Sequence, residues 1–89
     1  SGVYSIVSCA EALGASVVVS DPLYDDREIE SLGLTPFRDS EEPEVIVINT
    51  DHEIYSSMNS LLFPSVQYIL DGRACLEPAL WPGVRILSI

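Results

Sequence analysis

The segment Val66-Gln67-Tyr68-Ile69-Leu70-Asp71-Gly72-Arg73 limits what this chain can fold into more than any other. An apolar run that stops at Asp-Gly-Arg has the form of a buried parallel strand emptying into a tight turn with a cation at its mouth. In open α/β sheets, ligands bind outside the carboxyl ends of such strands. Arg73 is therefore the first candidate binding residue, because its guanidinium is permanently charged and forked to match pairs of phosphate oxygens. The same spacing fits a turn closed by an Asp71–Arg73 pair with no ligand. On the residues alone the two readings stand level.

The segments around it alternate between helical and strand patterns. Val3, Ile6, Val7, Ala10 and Leu13 recur at helical spacing, with Ser1 as N-cap and Gly14 as the stop. Ser16 to Ser20 is a β-branched strand bounded by Asp21-Pro22. Asp25-Asp26-Arg27-Glu28 is a capping box opening a short helix with Ile29 and Leu32 on its apolar side and Gly33 at its end. Leu34 to Phe37 reads as an edge strand weakened by Pro36. The acidic stretch Asp39 to Glu44 reads as a solvated loop or one helical turn, with no chemistry assigned to it.

Val45 to Asn49 is the most strand-like run, apolar in every position up to Asn49 and so expected to be buried on both faces. Thr50-Asp51-His52-Glu53 is a second capping box, opening a helix that carries Ile54, Met58, Leu61 and Leu62 and stops at Pro64. Beyond Arg73 come a turn of helix at Pro78, a turn at Trp81-Pro82-Gly83 and a last strand from Val84 to Ser88. Helices alternating with two-sided apolar strands define an α/β fold: three layers, a mostly parallel sheet with helices on both faces, Rossmann-like or flavodoxin-like. The expected sheet is all parallel, with 34–37 at one edge, followed by 16–20, 45–49, 66–70 and 84–88.

Eighty-nine residues make one domain, 1–89, and the 47% hydrophobic fraction with mean hydropathy +0.27 excludes a disordered chain. Apolar runs of about five residues are too short to span a bilayer. No basic-then-apolar leader occurs, so cytoplasm is the expected compartment. The net charge of −10 disfavours nucleic acid and anionic membranes as partners. All four basic residues are arginines, so Schiff-base chemistry, a P-loop and a lysine base are excluded.

Asp25, Asp26 and Asp51 lack the lysine that an Mg²⁺-binding phosphoacceptor cluster would need, and they read as helix caps. His52 has no sequence neighbour that makes a triad or a metal site. Cys9 reads as packing and Cys75 as a buried thiol beside the candidate turn, with no metal or redox spacing between them.

In order, Val17-Val18-Val19-Ser20-Asp21-Pro22, then Val45-Ile46-Val47-Ile48-Asn49-Thr50-Asp51-His52, then Ile69-Leu70-Asp71-Gly72-Arg73 resemble the C-terminal domain of the UDP-glucose/GDP-mannose dehydrogenase family. The likeness runs over nearly the whole chain, and the strand followed by Asp-Gly-Arg is its most specific part. It implies a nucleotide-sugar (UDP-sugar) binding domain of an NAD-dependent nucleotide-sugar 6-dehydrogenase, an oxidoreductase in which a separate Rossmann domain holds NAD.

Carried over residue by residue, Arg73 matches the arginine that reaches the nucleotide-sugar. Asp71 and Gly72 match the turn presenting it, and Thr50 the threonine ending the central strand. Ser1 matches the serine of an Arg-Glu-Ser-Pro signature, with Gly2 here in place of the proline. The family domain's first strand, its nucleophilic cysteine, its catalytic lysine and its glycine-rich NAD fingerprint have no counterpart in these residues. The implied partners are a UDP-sugar, the N-terminal and central domains of the same enzyme, and further copies in a homo-oligomer. From a different class, a stand-alone α/β interaction or regulatory domain without a small-molecule ligand also fits the pattern.

Overall fold

The structure, a computed structural model, describes residues 2–88 and has the α/β character expected, with helices and three parallel strands in an open sheet. Contacts within it cluster into two units, 1–41 and 42–89.

In the first unit, helix α1 (Val3–Ala12) and helix α2 (Asp26–Ser31) end in the same way. After α1 the Gly14 N–H donates to the Glu11 carbonyl and the Ala15 N–H to the Ala10 carbonyl. After α2, Gly33 donates to Glu30 and Leu34 to Ile29. This is the Schellman pattern, and it places Gly14 and Gly33 at φ +94° and +81°, which side chains resist. The capping box of α2 is complete: Asp25 accepts from the Glu28 N–H at 2.8 Å and Glu28 accepts from the Asp25 N–H at 3.1 Å. The N-cap role read for Ser1 lies outside the described residues, and Gly2 occupies the cap position of α1.

Ile29 is the buried apolar anchor of α2, and the Tyr4 hydroxyl donates to the Leu32 carbonyl at 2.9 Å. The expected strands 16–20 and 34–37 shrink to one parallel bridge between Val19 and Pro36. Val19 donates to Thr35 and Phe37 donates to Val19, each at 2.8 Å. Pro36, without an N–H, contributes no donor to a longer ladder. Asp21 then turns the chain away by accepting from the Leu23 N–H.

The second unit is built on strands β1 (Val45–Ile48), β2 (Tyr68–Asp71) and β3 (Arg85–Ser88), all parallel, in the order β1-β2-β3. The register aligns Ile46, Ile69 and Ile86 in one row and Ile48, Asp71 and Ser88 in the next. These rows share a face, because side chains alternate along a strand. Ile48, Ile69, Val66 and Trp81 form the core on that face. Partly buried side chains complete it: Ile46 and Ile86 from the strands, Tyr55, Met58 and Phe63 from the first connection, and Cys75, Leu76 and Val84 from the second. Trp81 stacks on Phe63 with centroids 6.3 Å apart, and the Ser60 N–H donates to the Leu80 carbonyl, tying the two connections together.

Two expectations need correction here. The strand at 45–48 is not buried on both faces: Val45 is 55% and Val47 43% exposed, beside Tyr68 at 50% and Leu87 at 68%. The reason is that both connections within this unit pack against the Ile48–Ile69 side. The helix expected from the Thr50–Glu53 box is only a 3-10 segment, Glu53–Ser57, whose cap residue His52 makes no side-chain capping bond. Ser56 and Ser57 donate their hydroxyls back to the Glu53 and Ile54 carbonyls, and Asn59 accepts from the Leu61 N–H. Such local bonds compete with helix propagation. The short helix at Pro78–Leu80, capped by the Glu77 carboxylate, and the turn at 81–84, closed by the Val84 N–H on the Trp81 carbonyl, form as read.

Candidate functional site

Ile48 and Asp71 are register partners, so the chains leaving β1 and β2 emerge side by side at the carboxyl edge of the sheet. Thr50 lies two residues past Ile48, and Arg73 two past Asp71. Gly72 continues the pairing, donating its N–H to the Ile48 carbonyl at 3.0 Å. A Cβ on Gly72 would sit 2.9 Å from that oxygen, closer than side-chain carbons approach, so the approach of the two backbones depends on glycine.

Asp71 occupies the core face and is 1% exposed. Its Oδ1 accepts from the Arg73 N–H at 3.2 Å and from the Cys75 thiol at 3.7 Å, and its Oδ2 from the Leu76 N–H at 3.0 Å. Burial pushes the carboxyl up. The backbone amides of Leu76, Cys75 and Arg73, with the Cys75 thiol, outweigh that and hold it below the ordinary value. The Cys75 thiol moves the other way, raised first by burial and then by the negative charges of Asp71 and Asp51.

Arg73 is exposed, and among the described residues its guanidinium enters no ion pair. The Asp71–Arg73 contact thus exists, but through the backbone N–H of Arg73 and not its side chain. Thr50 is exposed beyond β1, and Ser1 lies outside the described residues. The site brings together Asp71, Gly72 and Arg73, with Thr50 leaving the sheet at the same edge. Sequence reasoning missed the roles of Leu76 and Cys75 as donors to Asp71. An Asp two residues ahead of a free N–H is a recognisable turn signal, whereas a donor five residues on is not.

The remaining candidates fall elsewhere. Cys9, expected to pack, is exposed on α1. His52 is half-buried, with its ring edge-on to Tyr55 at 5.4 Å. Arg38 pairs with Asp26 and Glu30 on the surface of α2. An open hollow of about 460 Å³ lined by Glu42, Glu44, Pro64, Ser65, Val66 and Gln67 lies at the amino ends of β1 and β2, the edge opposite Arg73. Among the described residues no group of His, Cys, Asp or Glu is arranged to hold a metal, and no helix is long and apolar enough to cross a membrane.

No protein-family model matches this chain, and neither do the curated proteins or the solved structures.

Proposed function

We propose that the carboxyl edge of the sheet binds the diphosphate of a nucleotide-sugar, and that the chain is the UDP-sugar binding domain of an NAD-dependent nucleotide-sugar 6-dehydrogenase. One observation carries this reading. An exposed arginine whose guanidinium enters no ion pair among the described residues stands at the carboxyl end of the central parallel strand, on a turn whose carboxylate is spent on backbone N–H groups and the Cys75 thiol. A forked cation in that place can take two phosphate oxygens at once.

In this reading the three strands belong to a three-layer, Rossmann-like frame, and Thr50 faces the ligand beside Arg73. The domain contributes binding energy and closure, which the catalytic domains use. The nucleophile, the lysine and NAD reside in those other domains, so the chain by itself produces no NADH from nucleotide-sugar and NAD. Titrating the labelled protein with UDP, UMP and inorganic phosphate tests the reading by amide chemical shifts. Shifts for UDP confined to residues 49–51 and 71–76 are expected. Their absence, or shifts centred on the acidic hollow at Glu42 and Glu44, would refute it.

The exposed apolar face at Val45, Val47, Tyr68 and Leu87 favours a second reading, an α/β interaction domain without a small-molecule ligand. In that case Val47→Asp abolishes the function while Arg73→Ala leaves it untouched.

A further inference from the structure

We propose that Asp71 is a positioning residue for Arg73: its buried carboxylate fixes the course of the 71–76 loop and so presents the arginine without neutralising it. The identity of the ligand rests on the nucleotide-sugar reading above. The positioning itself rests on geometry alone.

A carboxylate near an arginine ordinarily pairs with the guanidinium and cancels its charge. Here that outcome is blocked, because Asp71 points into the core and both its oxygens are occupied by donors of the loop itself: the N–H groups of Arg73 and Leu76, and the Cys75 thiol. The loop needs such a hold. Ala74 sits at φ +52°, a left-handed conformation unfavourable for any residue with a Cβ, which persists only where its surroundings impose it.

The other end of the segment is pinned as well. The Gly72 N–H is bonded to the Ile48 carbonyl, at an approach that excludes a side chain. Arg73 therefore lies between two anchored points, Gly72 on β1 and Leu76 on Asp71, and only its side chain is left free. Preorganisation of this kind lowers the ordering cost of binding.

Two measurements test the inference. The first is amide hydrogen exchange on the ligand-free wild-type protein: the Arg73 and Leu76 amides should be protected, and exchange at unprotected rates would overturn the proposal whether or not any variant folds. The second is a double-mutant cycle read by calorimetric titration with UDP. Asp71→Asn, which presents an amide NH₂ to one of the donors, should weaken UDP binding roughly tenfold in the wild-type background. In the Arg73→Ala background it should cost less than about twofold, because a residue acting through Arg73 has nothing left to act through. Equal losses in both backgrounds would show that Asp71 serves general stability and would overturn the proposal. Protected amides in a wild-type protein that binds no UDP would leave the positioning role standing and remove the nucleotide-sugar reading alone.

Discussion

Asp71 is a buried ionised side chain that stabilises the fold only while it stays ionised. Its folded-state pKa lies below the ordinary value of 3.8. Its contribution is therefore complete above the unfolded value and is lost as the pH falls below about 4 through the depressed one. Following the fluorescence of Trp81, the only tryptophan, against pH should show an acid limb that Asp71→Asn flattens and lowers at neutral pH by on the order of 1–3 kcal/mol. An unchanged limb would contradict the bonding assigned to the carboxylate. The two free thiols supply an independent check, since Cys9 is exposed while Cys75 is half-buried with its pKa raised. A thiol reagent at neutral pH should consume Cys9 in a fast phase and Cys75 in a slow one, and Cys9→Ser should leave only the slow phase. Gly72→Ala, which sets a methyl against the Ile48 carbonyl, should cost about 1–3 kcal/mol by overpacking.

At the scale of elements, α2 is held by one buried side chain, Ile29, and by a full capping box at its start. Asp25→Ala should lower the stability of the first unit by about 0.5–2 kcal/mol, seen as earlier loss of helical circular dichroism. The features legible in the sequence were those written in local chemistry: the Asp25–Glu28 box, the glycine stops of both helices, the turn at Trp81 to Val84, and strands β1 to β3 from their apolar runs. What failed was decided by competition or by partners. The Thr50–Glu53 box has the letters of a helix start, yet serines and an asparagine downstream divert the backbone bonds. Residues 16–20 have strand propensity, but their pairing segment carries Pro36. Val45 and Val47 are as apolar as Ile46 and Ile48, and composition cannot reveal that both connections settle on one side of the sheet. In the candidate site, Asp-Gly-Arg flagged the turn. The direction of the Asp71 carboxylate, into the core and away from the guanidinium, follows from the register with Ile48 and Ile69 and is invisible in the sequence alone.

For the whole molecule, a net charge of −10 sets a field that opposes any anionic ligand, so binding must come from a local device. Arg73 on its anchored turn is that device, and its removal should act on affinity and not on folding, because its side chain makes no ion pair among the described residues. The decisive measurement is calorimetric titration with UDP of the wild type, Arg73→Ala and Arg73→Lys, each beside a thermal melt. The account predicts saturable binding by the wild type and a loss of roughly tenfold to a hundredfold, on the order of 1.5–3 kcal/mol, in Arg73→Ala. It also predicts partial recovery in Arg73→Lys, which keeps the charge without the fork, and one melting temperature for all three. Unchanged UDP affinity in Arg73→Ala with a clearly lowered melting temperature would contradict it, making Arg73 a structural residue of the turn.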